Sequence, residues 1–207
     1  MDPDKAVKLA AEVDPELADR FRFIYEIDRL KAVVRRNLLA DGSRNENSAE
    51  HSWHLAMVAL AMAPHAVETV DIERVIRILL VHDIVEVDAG DVDIYDVEGR
   101  KAKEAEEVAA ADRIFALLPE SQGSEMRALW DEYEARATPE ARFAYACDRL
   151  QPLLLNLATG GSTWHARGVT SSQVKGINGA LAEGLAGVWP VAELLIDESV
   201  VDGSLSP

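Results

Sequence analysis

Apolar residues return at three- and four-residue steps along most of this chain, and no segment alternates with period two. Asp14-Pro15-Glu16 is a capped start with proline at the first helical position, and Phe21, Ile24, Ile27, Asp28 and Lys31 follow at helical spacing. This predicts a first helix reaching about Asn37, a break at Asp41-Gly42-Ser43 and a polar loop through Asn47. Ser48 caps a second helix carrying His51, Leu55, Val58 and Met62 on one stripe and stopping near Pro64. Asp71 caps a third, with Val75, Ile76, Leu79 and Leu80 inward, reaching roughly Glu86; Asp88-Ala89-Gly90-Asp91 then turns. A fourth helix covers about Glu98 to Leu118, a fifth opens at Ser124, and Thr138-Pro139-Glu140 opens a sixth that runs to about Leu157. Gly160-Gly161 marks a loop, and two further helices follow Ser171 and Trp189-Pro190. The predicted fold class is all-α.

Length and charge narrow the picture. At 207 residues, without internal repeats or low-complexity stretches, the chain reads as a single domain over 1–207, with a core of about 17–160 and C-terminal helices at about 171–201. Hydrophobic residues at 48% and charged residues at 28% are a globular balance, not a disordered one. Asp and Glu number 37 against 21 Lys and Arg, a net charge of −16, which argues against polymeric nucleic acid and anionic membranes as partners. A small phosphate would need a local basic pocket. The one cysteine, Cys147, excludes an intramolecular disulfide and a cysteine-rich metal site, and reads as a small buried hydrophobe. Met1-Asp2-Pro3-Asp4-Lys5 has no apolar leader character, and no apolar run approaches the roughly 20 residues of a membrane span, so a soluble cytoplasmic protein is expected.

The chemistry lies in His51, the adjacent pair His82-Asp83, and Asp148, each set in an otherwise apolar helical stretch. A carboxylate on such a face is costly unless paired or metal-bound. Two imidazoles and two carboxylates on three helices suit one divalent ion inside a bundle. The residues alone leave a second reading open, in which Asp148 pairs with Arg149 and His82-Asp83 is a satisfied helix end.

These strings resemble the HD-domain superfamily of metal-dependent phosphohydrolases. Arg29-Leu30-Lys31, Arg35, Arg44-Asn45-Glu46-Asn47-Ser48-Ala49-Glu50-His51-Ser52 and His82-Asp83-Ile84-Val85-Glu86-Val87-Asp88-Ala89-Gly90-Asp91 look like its 5′-deoxynucleotidase branch, over residues 17–160. The resemblance implies a helical bundle holding one divalent metal (Mn, Co, Fe, Ni, Zn or Mg) through His51, His82, Asp83 and Asp148. It implies Glu86 assisting the hydrolytic water, Arg35 gripping phosphate from the first helix, and Asp88 and Asp91 touching substrate. It also implies a homodimer, which the apolar C-terminal residues Leu181, Leu185, Val188, Leu194 and Leu195 support. The branch carries a tryptophan after the phosphate-gripping arginine; Arg36 stands there instead, removing a flat apolar surface and adding a charge beside the substrate.

The expected substrate is a nucleoside 5′-monophosphate or a similar small phosphomonoester. Another phosphorylated metabolite, a pyrophosphorylated nucleotide, or a metal-stabilised nucleotide-binding module without catalysis are the alternatives. His54 reads as a core or supporting histidine, His65 as exposed, His165 as part of a loop, and Lys101 to Glu107 as a solvated helix face.

Overall fold

Capping side chains set where most of the helices begin. The computed structural model describes residues 2–207, and for Val97 and Arg100 the backbone alone. The chain runs α1 (Pro3–Val13), α2 (Pro15–Asp28), a 3₁₀ turn (Arg29–Ala32), β1 (Val34–Leu38), β2 (Asn45–Asn47), α3 (Ser48–Met62), a second 3₁₀ turn (Ala63–His65), α4 (Ile72–Val81) and α5 (Glu86–Ala89). It continues through α6 (Val97–Phe115), α7 (Glu120–Ala135), α8 (Pro139–Ala158), α9 (Ser162–Arg167), α10 (Ser171–Asn178), α11 (Leu181–Gly184) and α12 (Trp189–Val201). Asp14, Asp71 and Thr138 accept from backbone N–H groups one turn on and start α2, α4 and α8 as expected. At α3 the cap is Asn47, not Ser48: its side chain takes the Glu50 N–H at 2.9 Å while Glu50 reaches back to the Asn47 N–H at 3.2 Å, a capping box.

Helix α8 forms the spine. Phe143, Ala144, Ala146 and Cys147 are buried against Leu55 and Ala59 of α3, Val75, Ile78 and Leu79 of α4, and Leu181 and Leu185 around α11. On α4 the inward stripe uses Ile78, while Leu80 faces out and is half-exposed. Gly184 permits α11 to lie on α8, since a Cβ there would stand 2.6 Å from the Arg142 carbonyl oxygen. Among the described residues no helix is long and apolar enough to cross a membrane.

The first predicted helix is too long. It ends at Asp28, and Arg35 and Arg36 lie on β1, antiparallel to β2, with Val34 opposite Asn47 and Leu38 opposite Asn45. Two consecutive β-branched residues, Val33 and Val34, favour the extended chain. Asp41 and Gly42 (φ 70°) turn the hairpin, and Asn45 Nδ2 closes it on the Arg35 and Arg36 carbonyls at 2.9 and 3.0 Å. The third helix is also shorter than predicted. α4 stops at Val81, residues 82–85 form a turn, and Glu86 opens α5, which ends at Gly90 in the left-handed region (φ 73°). Asp83 and Glu86 therefore share a turn rather than a helix face, joined by the Glu86 N–H to the Asp83 carbonyl at 3.0 Å.

The remaining departures are local. α1 lies upstream of the predicted elements, and the stretch after Gly161 is the short helix α9. Lys103 is not merely solvated: its ammonium caps α5 at the Ala89 and Gly90 carbonyls, the latter at 2.7 Å. Leu181 and Leu185 are fully buried within the chain itself, whereas Leu194 is 66% exposed on α12.

Candidate metal centre and catalytic cavity

α3, the end of α4 and α8 deliver four side chains to one buried point. His51 Nε2 lies 2.8 Å from Asp148 Oδ1 and 3.9 Å from Asp83 Oδ2. His82 Nε2 lies 3.0 Å from Asp83 Oδ1 and 3.9 Å from Asp148 Oδ1. Ligand atoms of His51, His82 and Asp83 all fall within 4.8 Å of one another.

Each group is held from behind. The His82 Nδ1–H donates to the Leu79 carbonyl at 2.8 Å, so Nε2 faces the carboxylates. Asp148 Oδ2 accepts from the Tyr133 hydroxyl at 2.7 Å and from Arg149, which leaves Oδ1 for the histidines. Asp148 is buried, not a surface residue, and it pairs with Arg149 through one oxygen and faces His51 through the other. Asp83 Oδ2 accepts from Arg35 Nη1 at 2.9 Å. Pro152 O accepts from Asn37 at 3.3 Å, which ties β1, and with it Arg35, to α8.

The donor set fits a divalent cation. Nε2 of His82 is buried with no hydrogen-bond partner among the described residues, although a carboxylate oxygen is 3.0 Å away. Burial opposes charge on His82, but Asp83 and Asp148 overcome it and raise its pKa to about 9. Burial likewise opposes ionisation of Asp83, yet His82 and Arg35 hold its pKa down at about 2. Buried carboxylates that draw a proton onto a histidine are asking for positive charge, and neutral imidazoles with carboxylates are what borderline divalent metals take.

Beside this point opens a cavity of about 520 Å³, lined by Arg35, Arg36, Asp83, Glu86, Asp91 and Asp148, among others. Glu86 Oε2 accepts from the Ser48 hydroxyl at 2.5 Å, and Oε1 lies 3.8 Å from Arg35 Nη1. Burial, then the charge of Asp83, pushes the Glu86 pKa up to about 8. Asp91 Oδ1 lies 3.6 Å from Arg35, and burial raises its pKa as well. Arg36 is exposed at the rim. Asp88 is not part of the cavity wall: Arg113 at 2.5 Å and Arg29 at 3.7 Å occupy its carboxylate.

Five partners were not assigned to the site from sequence. Glu46, Gln151 and Tyr133 are buried around His51 and Asp148, Ser48 reaches Glu86, and Trp164 of α9 lines the cavity. Gln151 carried a signal: it sits one helical turn after Asp148 on the same face. His54 touches Gln151 at 3.1 Å and so supports the site without entering it; His65 and His165 are exposed.

Known proteins place this arrangement. The HD domain family model matches residues 27–189. The 5′-deoxynucleotidase HDDC2 of Mus musculus is 30% identical over 138 residues, 66% of this chain and 68% of that one. Its Homo sapiens counterpart is 29% identical over 134 residues, 64% of each. The crystal structure of a predicted metal-dependent phosphohydrolase from Magnetospirillum magnetotacticum MS-1 superposes with a TM-score of 0.87 at 50% identity, covering 93% of this chain and 99% of the other. The PH0347 protein from Pyrococcus horikoshii OT3 shares the fold at 22% identity and a TM-score of 0.62, over 84% of this chain and 98% of its own. With a family match across most of its length and the histidine–aspartate cluster at its centre, the chain belongs to the HD-domain family of metal-dependent phosphohydrolases.

Proposed function

We propose that the protein hydrolyses a nucleoside 5′-monophosphate, or a similarly small phosphomonoester, to the alcohol and inorganic phosphate. The observation that carries this reading is the buried convergence of His51, His82 and Asp83 within 4.8 Å, next to Arg35 and Glu86 in one cavity. The relatives named 5′-deoxynucleotidase support the nucleotide class. His51, His82, Asp83 and Asp148 would hold one divalent ion. Such an ion supplies positive charge to phosphoryl oxygens and acidifies water.

The chain's own residues do the rest. Arg35 grips the phosphate with the fork of donors that Asp83 orients. Glu86 takes a proton from the attacking water as its oxygen bonds to phosphorus. The bond from phosphorus to the ester oxygen breaks, and that proton leaves with the departing alcohol. Asp91 accepts from a sugar hydroxyl. Arg36 at the rim, where the related branch has tryptophan, favours a second reading in which the substrate carries more negative charge, such as a pyrophosphorylated nucleotide. The enzyme acts in the cytoplasm as a homodimer.

The test is phosphate release from a panel of nucleoside mono-, di- and triphosphates with added manganese, cobalt or magnesium. Metal-dependent release from 5′-monophosphates is expected. Release from di- or triphosphates alone moves the assignment to the second reading, and no release from any member overturns both.

A further inference from the structure

We infer that Gln151 is a positioning residue that presets His51 as a metal ligand, by forcing the proton of that imidazole onto Nδ1; this rests on the reading of His51 as a ligand. Gln151 is buried on α8, and its carboxamide has one accepting end and one donating end. Nε2 donates to Glu46 Oε1 at 2.8 Å and faces His54 Nδ1 at 3.1 Å, while Oε1 faces His51 Nδ1 at 3.1 Å. Turning the amide around would press its oxygen against the Glu46 carboxylate, acceptor against acceptor. Glu46 therefore fixes which end of Gln151 meets His51.

An amide oxygen can only accept. The second oxygen of Glu46, 3.2 Å from the same ring nitrogen, is likewise an acceptor in the carboxylate form. Nδ1 must carry a proton, so Nε2, on the side of Asp148 Oδ1 and Asp83 Oδ2, is the nitrogen whose lone pair a cation can take. A cation between Nε2 and the two carboxylate oxygens would take the place of the hydrogen that Nε2 shares with Asp148. His54 completes the chain as an acceptor at Nδ1, which accounts for a histidine one turn after His51. Hydrogen bonds of this kind behind a ligating histidine contribute about 10–100-fold in metal affinity.

Three variants test this by zinc-ion titration calorimetry and by nitrogen NMR of the histidine rings in the zinc-loaded protein. Gln151→Met keeps the chain length and removes the hydrogen bonds. It should bind zinc about 10–100-fold more weakly and lose the single Nδ1–H signature of His51. The exchange Glu46→Gln with Gln151→Glu keeps net charge, the bond between the two residues and an acceptor on His51. It should restore zinc affinity to within a few-fold of wild type, and it serves if Gln151→Met does not fold. A folded Gln151→Met with wild-type zinc affinity and an unchanged His51 signature overturns the inference, as does a folded exchange variant that has lost zinc. His51→Ala separates the two claims: wild-type zinc affinity there removes His51 from the ligand set itself.

Discussion

Ser48, the first residue of α3, donates its hydroxyl to Oε2 of Glu86, the first residue of α5, at 2.5 Å. One carboxylate oxygen is thereby anchored, and the other lies on the Arg35 side of the cavity at 3.8 Å. Burial and the charge of Asp83 raise its pKa to about 8, so Glu86 keeps a proton near neutral pH until positive charge beside Asp83 favours the carboxylate that can accept one from water.

Glu86→Gln keeps the size and the contact to Ser48 but cannot take a proton. The expected result is a kcat lower by about 10²–10⁴-fold with metal content unchanged. Ser48→Ala should lower kcat less, since it frees the carboxylate without removing it. Steady-state kinetics beside metal analysis checks both. Near-normal kcat in Glu86→Gln removes it from the chemistry and turns attention to Asp91.

Arg35 is a buried cation among acids: Asp83 at 2.9 Å, Asp91 at 3.6 Å, and Glu86 and Glu46 at 3.8 Å. Arg35→Ala leaves those charges uncompensated and should cost about 3–5 kcal/mol of stability, read as a lower Tm. Arg35→Lys keeps the charge but loses the planar fork, so KM should rise more than kcat falls. An unchanged KM in a folded Arg35→Lys would show that the fork does not grip phosphate.

Proton linkage gives a prediction with a definite sign. His82 is raised from 6.5 to about 9 and Glu86 from 4.5 to about 8, so both hold protons more tightly folded than unfolded. Their contribution is full at low pH and fades as pH rises, for Glu86 from 4.5 to about 8 and for His82 from 6.5 to about 9. Asp83, lowered from 3.8 to about 2, acts oppositely and is lost only as pH falls through that lower range. Metal-stripped protein should therefore lose Tm as pH rises from near neutral to about 9. A bound cation replaces the proton, so the Tm gain on adding zinc or manganese should grow over that range. A gain that is flat with pH contradicts this.

The helices and their caps were legible because capping residues and apolar spacing are local. Asp14, Asp71 and Thr138 each act on a backbone N–H within three residues. The hairpin was not, because Arg35-Arg36-Asn37 has no period-two pattern; the strand is held by Asn45, nine and ten residues on, and by Pro152 across the fold. Intrusions of His51, His82-Asp83 and Asp148 into apolar runs marked the candidate metal centre. Its supports, Glu46, Tyr133 and Gln151, are ordinary polar residues whose meaning appears only once β2 and α8 lie beside α3 and α7 lies beside α8. Asp88 shows the converse: motif position suggested the substrate, and Arg113 claims it.

α12 bears on assembly. With Leu181 and Leu185 spent inside the chain, Val191, Leu194, Leu195 and Val201 are the large apolar side chains exposed on α12. A homodimer through this helix predicts a light-scattering mass near twice 22.7 kDa, falling to the single value in Leu194→Glu. A wild-type mass of one chain at micromolar concentration contradicts the dimer.

The most direct measurement is metal content and kcat taken together on His82→Ala and Asp148→Ala. Each removes one member of a four-residue donor set, so bound metal and phosphate release should fall together, and added metal in excess should restore little of either. Full stoichiometric metal in both variants, or release of phosphate that persists after the metal is stripped, would contradict the account.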